Sequence, residues 1–455
     1  MPGFMTSLLS FIVAIAILVA VHEWGHYIVA RLVGVKVLRF SIGFGKPLWM
    51  RRWGPDQTEY CVAAIPIGGY VRLLDERDGT VTPQEASRAF NRQSVAARIA
   101  ILFAGPGMNF LFAILAYWIT FGMGVAGLKP VIGDIDPDSL AAAAGIQSED
   151  VVLAVGGRDV ATWEGTVIAM LDDMLANGDI RLRVERASGS VQDLRLATAG
   201  REAELTEPGQ LYEVIGLKPW RPVLEPVLDE LTPGGPAQRA GLLSGDRVLA
   251  ADGENFADWG AWVDFVRARP NQQVSVSLER DGGILVMPLE IGEATEGEQV
   301  IGRIGASVLV PPDLYDGRRA MQRFGFIDGA VAAVKKTWDM SALTVRMIVR
   351  MVTGDVSVKN ISGPINIAQF AGYSASGGLT TFLGFLAIVS VSLGILNLLP
   401  VPMLDGGQII YQLAEAIKGS PLSEQTQVIG QQLGIVFLLL LMSFAFYNDL
   451  TRLFG

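Results

Sequence analysis

The stretch FMTSLLSFIVAIAILVAVHEWGHYIVARLV, Phe4–Val33, decides how the rest of the chain is read. From Phe4 to Val21 it carries no charge, and it is long enough to span about 30 Å of hydrocarbon, which takes roughly 20 residues. Within the same apolar run come His22, Glu23 and His26. Ionisable groups inside a membrane segment are costly, and where they occur they are usually functional. The segment has no basic start, its apolar run is long, and no small-residue cleavage site precedes the His-Glu-His cluster. It therefore reads as a retained helix rather than a secretory leader.

Composition agrees with a membrane protein that also has a large water-exposed part. Of 455 residues, 50% are hydrophobic and 18% charged. Three further segments are long and apolar enough to span: Ile99–Gly124, Leu379–Leu399 and Val428–Phe446. The loop between the first two is rich in Lys and Arg, which places it on the cytoplasmic side. The block from Val125 to Asp313 is then outside, and its acidic residues outnumber basic ones about two to one. This acidity and a net charge of -10 argue against nucleic acid as a partner, because phosphate binding needs a basic face. A single cysteine, Cys61, excludes an internal disulfide.

Two organised regions lie between the helices. In the cytoplasmic loop, Val35–Phe40 alternates with period 2 and Glu59–Ile67 is β-favouring, with turn residues around them. A hairpin or small sheet against the membrane core is expected. The outer block repeats itself: LAAAAGIQSEDVVLAVGG (Leu140–Gly157) aligns with PAQRAGLLSGDRVLAADG (Pro236–Gly253), 96 positions on, and Trp163 falls on Trp259. Each copy resembles a bacterial PDZ domain. After the repeat, Arg318–Val352 carries a helical apolar stripe with flanking Lys and Arg. Such a helix suits a membrane surface or a place packed against the neighbouring domains.

HEWGH matches His-Glu-x-x-His. Residues four apart share a helix face, so His22 and His26 can bind one cation together, and neutral imidazole suits zinc. Glu23, one step round the helix, is placed to take a proton from water at the metal. Both histidines of the chain fall inside this motif. Two histidines leave a catalytic zinc one protein ligand short. Asp405 is the acid of NLLPVPMLDGG (Asn397–Gly407), at the inner end of a helix parallel to the first. It is the favoured third ligand, with Cys61 ranked behind. Pro400 and Pro402 break that helix, which is tolerated at membrane depth where backbone lines a protein-lined or wet cavity. In GPGMNF (Gly105–Phe110), small residues permit close helix packing, and Asn109 serves either packing or the site.

HEWGH, GPGMNF and NLLPVPMLDGG together resemble the site-2 protease family of intramembrane zinc metalloproteases, and GFGKP (Gly43–Pro47) with IPIGGYVRL (Ile65–Leu73) resembles that family's membrane re-entrant β-loop. The resemblance covers nearly the whole chain. It implies one catalytic Zn2+ on His22, His26 and Asp405, Glu23 as catalytic base, Asn397 and Pro402 as holders of the substrate helix, and Asn109 as support. Gln408 departs from relatives that often carry His after LDGG. The resemblance further implies single-pass membrane substrates, such as an anti-sigma factor already cut outside the membrane, or signal-peptide remnants. The PDZ pair would screen them. A bacterial inner-membrane location, periplasmic PDZ domains, a site toward the cytoplasm and a monomer are expected.

The expected fold is a polytopic α-helical membrane protein with four transmembrane helices, a membrane-associated β-hairpin or sheet, and two tandem PDZ-like α+β domains on the outer side. Its parts are a first helix over 1–33, a cytoplasmic loop with the β segment over 34–98, and a second helix over 99–124. PDZ domains over 125–220 and 221–312 follow, then amphipathic surface helices over 313–378. A third helix with the LDG motif takes 379–406, a loop 407–427, and the fourth helix with the C-terminus 428–455. A membrane-anchored protease of exposed loops would not need Asp405 on a membrane helix. A PDZ scaffold without activity would have no use for Glu23.

Overall fold

The computed structural model describes residues 3–296, 299–420 and 422–454. Outside the repeats its longer helices are α1 (Phe4–Leu32), α2 (Val95–Met123), α3 (Phe326–Thr353), α4 (Pro364–Ser376), α5 (Leu379–Asn397), α6 (Asp405–Lys418) and α7 (Glu424–Phe454). Four of these, α1, α2, α5 and α7, are long and apolar enough to cross a membrane. Their ends shift from the apolar runs for local reasons. Helix α2 starts four residues before Ile99 because the Ser94 hydroxyl accepts the Ala97 N–H and caps it. Helix α5 stops at Asn397, ahead of Pro400, whose ring disfavours helix in the residue before it. Helix α7 runs past both ends of the apolar stretch, since the ladder of backbone bonds does not stop where apolar composition does.

The strands of the loop between α1 and α2 are longer than expected: β1 (Val37–Trp53) and β2 (Thr58–Leu73). Both bend, so one hairpin makes three ladders. Residues 39–42 of β1 lie between residues 59–62 and 69–72 of β2, and residues 49–53 of β1 pair with 58–62. The bends need glycine: Gly43 has φ +92°, and a Cβ there would stand 2.9 Å from the carbonyls of Ala63 and Ile65. Residues 69–72 form the sheet's last segment, and β2 packs against α1.

The chain divides into two compact units, Met1–Lys218 with Ala320–Gly455, and Pro219–Arg319. The second is wider than 221–312 at both ends. The internal repeat is structural as well as sequential. Leu140–Ala143, Val151–Val155, Arg158–Asp159 and the helix starting at Trp163 correspond, 96 positions on, to Pro236–Arg239, Arg247–Ala251, Glu254–Asn255 and the helix starting at Trp259. Each copy builds a four-stranded antiparallel sheet of the same order. A buried Asp closes the same turn in both. Asp150 accepts the Gln147 N–H at 2.8 Å and pairs with Arg186. Asp246 accepts the Leu243 N–H at 2.8 Å and pairs with Arg280.

The amphipathic helix needs one correction. It begins at Phe326, not Arg318, because Arg319–Gln322 is a strand and Gly325 enters α3 in extended conformation. One face is packed, which is one of the two expected environments, and the other is exposed. Gly329, Ala333, Thr337, Met340 and Leu343 are buried, and Leu343 joins the core of the first repeat, where Arg346 pairs with Asp172. Ile327, Val331, Val334, Trp338, Val345 and Val352 face outward, while Ile348 of the same stripe packs on the membrane helices.

Remaining helices brace the bundle. Asp449 of α7 is buried, and its carboxylate accepts the N–H groups of Gly363, Ile365 and Asn366 at 2.8–3.1 Å, satisfying the open start of α4. Helix α4 in turn lies on α1, with Gly372 against Ser7.

Candidate metal centre

Helix α1 buries the face bearing Ala14, Leu18, His22 and Gly25. At that level α2 crosses it at very short range. A Cβ on Gly25 would stand 2.2 Å from the Ala104 carbonyl oxygen, and one on Gly105 would stand 2.3 Å from His26 Nε2 and 2.8 Å from His22 Cε1. Both glycines are therefore required by contact, and Gly105 forms the floor beneath the imidazoles.

Asp405 arrives from the other side as the first residue of α6. The chain between α5 and α6 turns tightly, so a Cβ on Gly406 would stand 2.2 Å from the Leu398 carbonyl oxygen and one on Gly407 2.1 Å from that of Val401. Gln408, the departure noted above, braces this turn by donating its amide N–H to the Pro402 carbonyl at 2.7 Å.

The three side chains converge. His22 Nε2 lies 3.2 Å from His26 Nε2 and 3.3 Å from Asp405 Oδ2, and His26 Nε2 lies 3.5 Å from Asp405 Oδ2. Ligands at about 2.0–2.1 Å from a tetrahedral zinc stand roughly 3.3–3.4 Å from each other, so this triangle has the edge lengths of a zinc site with one corner open. Asp405 Oδ2 is buried and has no hydrogen-bond donor among the described residues, as an atom reserved for a cation would be. Among the described residues this is the one group of three or more such side chains able to hold a metal. Cys61 is buried in β2 and does not belong to it.

His26 Nδ1 lies 2.8 Å from the Ile101 carbonyl, which fixes the ring with Nε2 facing the centre. Pro106 lies in the next turn of α2, and its ring cannot donate to the Leu102 carbonyl four residues back. His22 Nδ1 faces the Asn109 amide at 3.0 Å. Glu23 is within electrostatic reach of His22, His26 and Asp405. Over it runs the last segment of the sheet, where a Cβ on Gly69 would stand 3.1 Å from Glu23 Cγ. Asn397 is half-buried at the end of α5, with no side-chain hydrogen bond among the described residues. Pro402 lies beside α7, its Cβ 3.7 Å from where a Cβ on Gly430 would be.

One connection has no local sequence signal. Arg98 of α2 is buried and makes a two-pronged pair with Glu415 of α6 at 2.6 and 3.0 Å. It ties the helix beneath the histidines to the helix that begins with Asp405. The Arg98 hydrogen bonds hold the Glu415 carboxyl below its ordinary value. The pair therefore stabilises the fold above about pH 4.3, the unfolded value, and that contribution is lost as pH falls through the lowered folded value. The Arg98→Ala variant is expected to lose about 1.5–3 kcal/mol at neutral pH, the range for hydrogen bonds to a charged group, since Glu415 is only half-buried. The exchanged pair, Arg98→Glu with Glu415→Arg, should recover part of it in thermal melts. Equal melting temperatures for Arg98→Ala and the unaltered chain would rule out this role.

The Peptidase family M50 model matches residues 10–441. The regulator of sigma-E protease RseP of Escherichia coli is 41% identical over 456 residues, covering 100% of both chains. A Neisseria meningitidis protein provisionally named a zinc metalloprotease, NMA0084, is 41% identical over 453 residues, 99% of this chain and 100% of its own. The regulator of sigma E protease of Haemophilus influenzae is 38% identical over 454 residues, 99% of this chain and 100% of its own.

Proposed function

The chain belongs to peptidase family M50 and is a bacterial membrane metalloprotease, and from that premise we propose that it cuts peptide bonds inside the membrane segments of single-pass proteins. The observation that carries this reading is the triangle of His22, His26 and Asp405 at zinc-ligand spacing, with both histidines on α1, a helix long enough to span a bilayer. In it, His22, His26 and Asp405 hold one Zn2+, which when bound supplies a Lewis acid and acidifies water to a pKa of about 7. Glu23 takes the proton of the attacking water and passes it to the leaving nitrogen, so that one water and one amide become an acid and an amine.

A membrane helix shields its own backbone, so the substrate must be held extended. Residues 69–72, at the sheet's end beside Glu23, take the substrate on as a further strand. Asn397, at the broken end of α5, steadies it from the opposite side, and Pro402 keeps that break in place. The two repeats are PDZ domains on the periplasmic side of the inner membrane, and they admit substrates already trimmed outside. The active centre faces the cytoplasm, and the chain works as a monomer in the lipid bilayer. By likeness to the sigma-E regulators, the natural substrate is an anti-sigma factor, with signal-peptide remnants as a second group.

The test is cleavage of a single-pass substrate by the purified full chain in lipid vesicles, with product ends read by mass spectrometry. The cut is expected within the apolar segment, to be lost with a zinc chelator and regained with one equivalent of zinc. Proline through residues 69–72 should also abolish it. Cuts confined to the water-exposed flanks would contradict the proposal.

A further inference from the structure

Asn109 is fully buried, yet among the described residues one end of its side-chain amide has no partner. Nδ2 points at His22 Nδ1 from 3.0 Å, and Oδ1 meets no donor. The two ends of an amide have the same shape, so its orientation follows from where the neighbouring proton sits. That proton is dictated by the opposite nitrogen of His22. Nε2 faces His26 Nε2 and Asp405 Oδ2, and it can bind a cation there only through its free lone pair. The imidazole must then carry its proton on Nδ1, which becomes a donor. A donor facing the Nδ2 of Asn109 would be a clash of two N–H groups. With the amide turned round, Oδ1 accepts from Nδ1–H.

We propose that Asn109 is a positioning residue for the metal site: its Oδ1 accepts the Nδ1 proton of His22 and so fixes the tautomer that presents Nε2 to zinc. The inference rests on the zinc reading given above. It makes the two histidines equivalent in design, because His26 Nδ1 is already held by the Ile101 carbonyl at 2.8 Å. Both acceptors come from one helix, α2, a little over two turns apart. The Asn109 backbone is pinned in turn: its carbonyl accepts the buried Ser390 hydroxyl of α5 at 2.9 Å. An acceptor opposite a ligand histidine typically changes metal affinity by 10–100-fold.

The chain has only two histidines, so its imidazole nitrogens can be read directly. In the zinc-loaded full chain in detergent, labelled with 15N-histidine, both rings should show a protonated Nδ1 and a zinc-shifted Nε2. Competition with a chelator should show zinc held 10–100-fold more weakly by Asn109→Leu, an apolar near-isostere. The Asn109→Asp variant keeps an acceptor and should hold zinc at least as well as the unaltered chain. Zinc on Nδ1 of His22 would overturn the inference. So would Asn109→Leu binding like the unaltered chain, or Asn109→Asp losing zinc as fully as Asn109→Leu. An unaltered chain that binds no zinc would sink the zinc reading, and this inference with it.

Discussion

Gly105→Ala is expected to remove both zinc and proteolysis while leaving a folded, membrane-inserted chain. The added methyl group would stand 2.3 Å from His26 Nε2, the atom assigned to the metal, and 2.8 Å from His22 Cε1. Nothing nearby can yield cheaply. Moving α2 away would break the contacts of Ile101 with His26 and of Asn109 with His22, at 2.8 and 3.0 Å. Moving the rings displaces the ligands themselves, and an error of about 1 Å in such a group can cost 100-fold in rate. Overpacking costs about 1–3 kcal/mol, which lowers the melting temperature without unfolding the chain. Gly107→Ala, in the same short motif, is the control. Its Cβ would meet the Phe103 side chain at 3.4 Å, an ordinary contact. Helix propensity favours that change by up to about 1 kcal/mol. Metal analysis and melting curves of the two variants read the difference. Equal zinc content in both would show that Gly105 is not the floor of the site.

Much of this centre is legible in the sequence, and the reasons differ by residue. His22 and His26 declare themselves because helical spacing and membrane depth are both local properties. Asp405 is legible because it is the acid at the end of a broken apolar run. Gly105 is not, since a glycine in a membrane helix has several ordinary uses, and only the crossing with α1 selects among them. The Ile101 carbonyl leaves no trace in side-chain identity at all. Arg98 and Glu415 are 317 positions apart, and neither is unusual alone. The repeat at 96 positions foretells the two matching sheets, because turn and strand residues recur together. The hairpin is foreseen, but not its three ladders, which depend on bulges that period-2 alternation does not encode. Helix α3 shows the limit in another way. Its apolar stripe points outward except at Ile348, and the face that packs is made largely of small and mixed residues that the apolar pattern does not mark.

Glu23→Gln separates binding from chemistry more directly than any other change. Glutamine keeps the size of the side chain and leaves His22, His26 and Asp405 untouched, but cannot accept the proton of water. General-base assistance is worth about 10²–10⁴ in rate, so the loss should be at least in that range. The decisive measurement is zinc content together with cleavage of a membrane-embedded single-pass substrate, on the same preparation of the Glu23→Gln chain. One zinc per chain with cleavage reduced by about 100-fold or more is the expected result. One zinc per chain with cleavage at the unaltered rate would contradict the assignment of Glu23, and with it the mechanism built on this centre.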